Sequence, residues 1–189
     1  MYRHYLGDLF MKNDRLYLRD TSFDDCELFA RWEQDPNVTT FFTISDGRNY
    51  EDIVREHFER EVDSTQKEFT ICLKDTDEAI GRIYISNIND HYDSLDISRI
   101  YIADTTCRGK GYGEEALKLA LKWSFEEKGM QRVTLDHFSD NVIANSLYRK
   151  VGFIPEGTMR NCGKKNGKYV DLCLMSMLRD EYFENVKNY

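Results

Sequence analysis

The sequence predicts an α/β chain built on a central mixed, mostly antiparallel sheet with helices on both faces. Three observations lead there. Residues 97–103, 108–113 and 114–128 read in succession as a strand, a glycine-rich turn and a long helix, and another strand follows at 132–138. A strand–helix–strand crossover of that kind joins parallel neighbours. Alternating runs at 68–74 and 79–88 flank Asp75-Thr76-Asp77-Glu78, an antiparallel hairpin. Late in the chain Asn166-Gly167, the strongest hairpin signal present, joins 157–161 to 169–177.

Taken in order, Arg15-Leu16-Tyr17-Leu18-Arg19 alternates and predicts a first strand. Thr21-Ser22-Phe23-Asp24 offers a capping-box-like start to a helix running toward Trp32 and Gln34, and Pro36 stops it. Residues 39–49 are polar and aromatic without clear period, a loop. Its Phe41 and Phe42, with Tyr50, could wall a pocket or fill the core, and core is the commoner fate of such side chains. Residues 51–63 place Val54, Phe58 and Val62 four apart and predict a second helix. The strand at 68–74 alternates Phe69, Ile71 and Leu73 with Thr70, Cys72 and Lys74, as if half in water. Asp90-His91-Tyr92-Asp93 turns the chain into the strand at 97–103. The long helix carries Leu117, Ala120, Leu121, Ser124 and Phe125 at i, i+3, i+4, i+7 and i+8, with Gly129 where a C-terminal glycine would sit. Residues 141–153 read as a short helix closed by Gly152. Asn141, Ala144, Asn145 and Tyr148 share one face, while Ile143, Leu147 and Val151 share the adjoining, buried one.

The 189 residues are expected to form a single domain over 1–189, long enough for a sizeable core. Two prolines and no low-complexity run argue against a long linker. No stretch reaches the apolar length of a membrane span, and residues 1–12 mix Arg3, His4 and Asp8 into their aromatics, unlike a signal peptide. Cys26, Cys72, Cys107, Cys162 and Cys173 are odd in number and scattered, which favours reduced thiols in a cytoplasm over disulfides or a zinc site. A formal net charge of −8 weighs against nucleic acid as partner and suits a cationic amine substrate. Arg108 and Lys110 would draw an anion to one spot on that acidic surface.

That spot is the glycine-rich turn. Gly109, Gly111 and Gly113 let main-chain N–H groups approach a ligand closely, and those amides open the long helix, whose dipole favours an anion such as a pyrophosphate. The dinucleotide fingerprint fails because residue 114 is Glu114, and no segment fits the nucleotide P-loop spacing. Arg108-x-x-Gly111-x-Gly113 resembles instead the coenzyme A pyrophosphate loop of the GNAT superfamily of N-acetyltransferases. Residues 141–153 resemble that superfamily's other signature, N-x-x-A-x-x-L-Y-x-K-x-G-F, and stand in its order. The opening, Leu16-x-Leu18-Arg19, then helix, then Asp35-Pro36, is similar to the ribosomal-protein N-terminal and small-amine branch.

The resemblance implies the GNAT fold, acetyl-CoA as co-substrate, no metal, and a small-molecule or peptide amine as acceptor. It also implies that exposed strand edges can pair two copies into a homodimer. It implies that Tyr101, Ile102, Ala103, Arg108, Gly109, Lys110, Gly111, Tyr112 and Gly113 hold the cofactor, that Asn141 bonds the pantetheine arm, and that Tyr148 lies near the thioester sulfur. An attacking ammonium of pKa ~10.4 must lose a proton, and the leaving thiolate, ~8.5 as a free thiol, gains one easily from an acid such as Tyr148. A free N–H near Ile102 could serve the oxyanion, offered by a bulge in the strand. Asp96, through Ser98 and water, is the candidate base, and His137 beside Asp136 is the runner-up. Cys107 has no histidine placed beside it and reads as an inert loop thiol. Two other classes stay open: a catalytically idle acyl-CoA-binding module, and a different nucleotide-binding enzyme.

Overall fold

The computed structural model describes residues 11–43 and 48–187, so most of residues 1–12, read as unlike a signal peptide, and the middle of the predicted loop lie outside the described residues. One seven-stranded sheet runs in the order β1-β2-β3-β4-β5-β7-β6. Its strands are β1 (Leu16–Asp20), β2 (Lys67–Leu73), β3 (Ala79–Asn89), β4 (Ser94–Ile102), β5 (Arg132–Phe138), β6 (Ile154–Lys165) and β7 (Lys168–Leu178). All neighbours are antiparallel except β4 and β5, joined by the expected crossover through α4 (Tyr112–Lys122). On one face lie α4 and α5 (Val142–Val151); on the other, α1 (Asp25–Trp32), the single turn α2 (Pro36–Thr39) and α3 (Tyr50–Glu61). A last helix, α6 (Arg179–Val186), closes the chain. No helix among the described residues is long and apolar enough to cross a membrane.

The α4 stripe is buried as its spacing requires: Leu117, Ala120, Leu121, Ser124 and Phe125 are at most 1% exposed. Past Lys122 the coil widens into a π-helical stretch (Trp123–Glu127), and Gly129 follows at φ +72°. The Arg179 guanidinium takes the carbonyls of Phe125 and Met130 that this ending leaves over.

Several expectations need correction, each because tertiary packing overrode a local pattern. Ser22 does not accept from the start of α1; the Asp25 carboxylate accepts from the Ser22 amide and hydroxyl instead, and is forked by Arg19 at 2.6 and 2.7 Å. Pro36 does not merely end a helix but opens α2, whose N-cap is Asp35. On α3 the inward residues are Ile53 and His57, whereas Phe58 and Val62 face solvent. On α5 Val151 is buried but Ile143 is exposed. Strand β2 is not half in water: Glu68, Thr70 and Cys72 are buried beneath α1 and α3, and the Thr70 hydroxyl donates to Asp25 at 3.1 Å. Phe41 and Tyr50 are exposed rather than core, while Phe42 packs against Tyr101.

The polar face of the sheet is covered through an ionic ring. Glu33 takes Arg48 at 2.6 Å and Arg82 at 2.8 Å; Arg48 also reaches Glu56, Arg60 bridges Glu56 and Glu68, and Arg82 closes the circuit on Glu68. Three carboxylates and three guanidiniums thus balance, with Glu33 and Arg82 essentially inaccessible to water. Burial alone would push the Glu33 carboxyl up, but the guanidiniums of Arg99, Arg82 and Arg48 outweigh it and hold it below the usual range. Arg82→Met removes one partner and leaves buried charge behind, so it is expected to lower unfolding free energy by about 3–5 kcal/mol, read as a reduced urea midpoint at unchanged slope.

Candidate active site

Strands β4 and β5 pair over three residues only: Ser94, Leu95 and Asp96 against Arg132, Val133 and Thr134. Beyond that point β4 keeps its bonds to β3, and β5 keeps its bonds to β7. The two halves of the sheet therefore diverge, and the facing edges of β4 and β5 carry no strand between them among the described residues. Opposite β3, Arg99 pairs Tyr84 and Ile97 pairs Ile85, which leaves Ser98 as the extra residue of a bulge. The bulge lies nearer Asp96 than the predicted Ile102. It brings Asp96, Ser98 and Arg99 toward one face of the strand.

At the far end of β4 the glycine-rich turn folds back beside the strand. Gly109 (φ +73°) and Gly111 (φ +86°) adopt the left-handed conformation, and Gly111 is the N-cap of α4. A side chain at Gly109 would meet nothing within 4 Å, so the backbone there stands open to a ligand. Gly113 packs near Ile102 and Leu147. Lys110 is exposed, and its carbonyl accepts from Arg15, whose guanidinium also lies 4.7 Å from the Tyr112 ring centroid. Arg108 does not stand free beside the turn. It donates to the carbonyls of Ile102 at 2.9 Å, Ala103 at 3.3 Å and Asn37 at 3.5 Å, clamping the strand end. The Ala103 amide is given to the Ile80 carbonyl, and the Tyr101 side chain points to the opposite face, where its hydroxyl donates to Glu33. Of those two residues only main-chain groups can face the turn. Cys107 is buried, and burial pushes its thiol up, as suits an inert residue.

Helix α5 enters from β5 through Asn141, whose Oδ1 accepts from the Ala144 amide at 3.1 Å; Gly152 closes the helix at φ +112°. Tyr148 is 8% exposed and its ring lies 5.8 Å from that of His137. Burial, then the charges of Asp136 and Asp96, push its phenol up to about 12. His137 Nδ1 donates to the Phe138 carbonyl at 2.8 Å, while its buried Nε2 has no partner among the described residues.

Asp96 sits at the point of divergence. It accepts from Ser98 Oγ at 2.8 Å and Thr134 Oγ1 at 2.9 Å, and Ser98 touches Ser86 at 2.5 Å. Burial raises its carboxyl, against the pull of those two hydroxyls. Asp136, two residues beyond Thr134, is also raised, by burial and by the charge of Asp96. In the sequence Asp136 stands only as a neighbour of His137; its proximity to Asp96 follows from the β4–β5 pairing, which no local signal records. A small cleft lies over this end of the divergence, lined by Phe41, Phe42, Ser98, Arg99, Asp136 and His137.

The chain is similar to known proteins in sequence and in fold. The acetyltransferase (GNAT) domain matches residues 15–154. An uncharacterized N-acetyltransferase, p20, of Bacillus licheniformis is 25% identical over 172 residues, 89% of this chain and 96% of its own length. The spermidine N(1)-acetyltransferase of Vibrio cholerae is 22% identical over 171 residues, 90% of this chain and 96% of its own. The crystal structure of the Vibrio cholerae spermidine N-acetyltransferase with CoA and spermine superposes with a TM-score of 0.84 at 23% identity, covering 90% of this chain and 99% of that one.

The divergence is measurable by amide exchange. From Ile97 to Ile102, amides bonded to β3 should be protected and the alternating ones that face β5 should exchange fast, as exposed main-chain groups do. Uniform protection along β4 would mean that the gap is closed.

Proposed function

The chain belongs to the GNAT family of acetyltransferases, and from that premise we propose that it moves acetyl from acetyl-CoA to a primary amine by direct attack within a ternary complex. The observation that carries the reading is the divergence of β4 and β5, with the glycine-rich turn at one mouth and the Asp96–Ser98 pair at the other. The residues present fit the co-substrate: Gly109 and Gly111 hold positive φ beside the start of α4, where main-chain N–H groups suit a diphosphate. When bound, acetyl-CoA supplies an acyl group already activated as a thioester.

The chain's own residues then divide the work. Amides of Gly109, Lys110, Gly111, Tyr112 and Gly113 bind the anionic end. Arg108 holds the strand end and the turn together rather than contacting the anion with its full charge. The Asn141 side chain, its oxygen engaged in capping, has its Nδ2 left to donate to the arm. Main-chain N–H groups on the gap side of β4, around Ile102, face the carbonyl oxygen. Asp96 takes the amine's proton through the Ser98 hydroxyl, a connection already made in the structure. Tyr148, with its phenol at about 12, keeps its proton across the working pH range and donates it to the departing sulfur.

The reading is tested by incubating the protein with acetyl-CoA and a panel of amines while following thiol release, beside a thermal-shift comparison of acetyl-CoA with NAD and ATP. Selective stabilisation by acetyl-CoA without thiol release from any amine would leave an acyl-CoA-binding module instead. Tyr148→Phe should lower kcat about 100-fold with acetyl-CoA affinity changed less than about twofold, since the hydroxyl acts on the leaving group and contributes little to binding. For Asp96 the sign follows from its need to be ionised. kcat/KM should rise as pH climbs through its raised pKa, and Asp96→Asn should lower the plateau and flatten that acid limb.

A further inference from the structure

Arg99 stands outside the balanced ionic ring. The ring closes on itself through Glu33, Arg48, Glu56, Arg60, Glu68 and Arg82, so each carboxylate already serves two ring guanidiniums. Arg99 is an additional cation attached to Glu33, and its 3.2 Å contact is the longest of the three ion pairs that Glu33 makes. Among the described residues no other carboxylate lies within 4.0 Å of it. Its side chain is 9% exposed, and its guanidinium lies 5.1 Å from the Phe42 ring centroid. A nearly buried charge with only a shared counter-ion is costly to hold. A ligand that brings a negative charge to the guanidinium offsets that cost.

Its surroundings indicate what that ligand carries. Arg99 lines the same cleft as Ser98 and Asp136, and Asp96 lies just behind Ser98. The cleft is therefore dipolar, with carboxylates toward β5 and a surplus guanidinium toward Phe42 and the end of α1. A simple polyamine satisfies the carboxylates but brings further positive charge toward Arg99. An amine that bears its own carboxylate satisfies both ends.

Resting on the acetyl-transfer reading above, we propose that the acceptor is a zwitterionic amine, an amino acid or short peptide, whose carboxylate seats on the Arg99 guanidinium while its amine lies toward Asp96. Arg99 is then the residue that sets acceptor specificity. A guanidinium fork is suited to a carboxylate in a way that a lysine ammonium is not.

The test uses acceptors in triplets: an amino acid, its carboxamide, and the amine lacking the carboxyl group, with spermidine as a separate arm. With wild-type protein the acid should exceed both companions in kcat/KM by about tenfold or more, chiefly through KM. In Arg99→Gln the acid-to-amide ratio should fall at least tenfold, and Arg99→Lys should recover only part of it. A purely structural role would lower acid and amide together and leave the ratio unchanged, which would overturn the assignment. So would a wild-type preference for spermidine or for the carboxamide, a comparison that stands even if Arg99→Gln does not fold. Transfer to some amine without any acid preference sinks only the role of Arg99. Failure of transfer to every amine while acetyl-CoA binds sinks the acetyl-transfer reading itself.

Discussion

The shortness of one strand pairing governs this molecule. Had β4 and β5 stayed in register along their length, the sheet would be continuous and its centre would offer no main-chain donor to a ligand. Three parallel pairs hold the two halves together, and beyond them each strand stays loyal to its antiparallel partner. The cost is a row of main-chain groups with no strand partner among the described residues, in the middle of a sheet. Such groups are tolerated where solvent or a ligand reaches them. The same divergence explains why Asp96 is the pivot. It is the last paired residue of β4, held by hydroxyls from both strands, and so it is fixed in place by the junction that creates the gap.

Each end of that gap is stiffened by a different device. Toward the turn, Arg108 ties the carbonyls of Ile102 and Ala103 to the loop before α4, so a residue whose charge suggested anion binding acts on the backbone. On the sheet face that carries α1 and α3 the ionic ring fastens those helices to β2 and β3 through charges rather than hydrocarbon. Replacing such a ring with well-packed apolar side chains is often neutral for stability, because desolvation offsets much of the Coulomb gain. Its value lies in geometry. It commits the Glu33 carboxylate to a fixed point, on which Arg99 and the Tyr101 hydroxyl both depend.

Much of the architecture was readable because it is locally encoded. The apolar stripe of α4 repeats with the helical period, and all five of its marked residues are buried. Asn166-Gly167 needs only its two positive φ angles to turn β6 into β7. Strand β5 lies where its β-branched and aromatic run placed it. The misreadings share a cause. Periodicity tells which side chains are apolar but not what covers the polar side. Hence β2 was expected to be half in water, though α1 and α3 lie on it. Phe41 and Tyr50 read as core by type, yet both are exposed: Phe41 lines the small cleft beside β4, and Tyr50 opens α3.

The sequence by itself determined the order of the seven strands and of α1, α3, α4 and α5, the glycine-rich turn and the pair of signatures that carry the family likeness, because those depend on backbone freedom and on short-range spacing. Only the tertiary structure decided that β4 and β5 separate after Asp96 and Thr134, that Ser98 is a bulge, and that Arg99 lies outside a closed ring of six charges. Those features arise from pairings between residues tens of positions apart. No local period records where two strands stop pairing or how many counter-ions a buried charge will find.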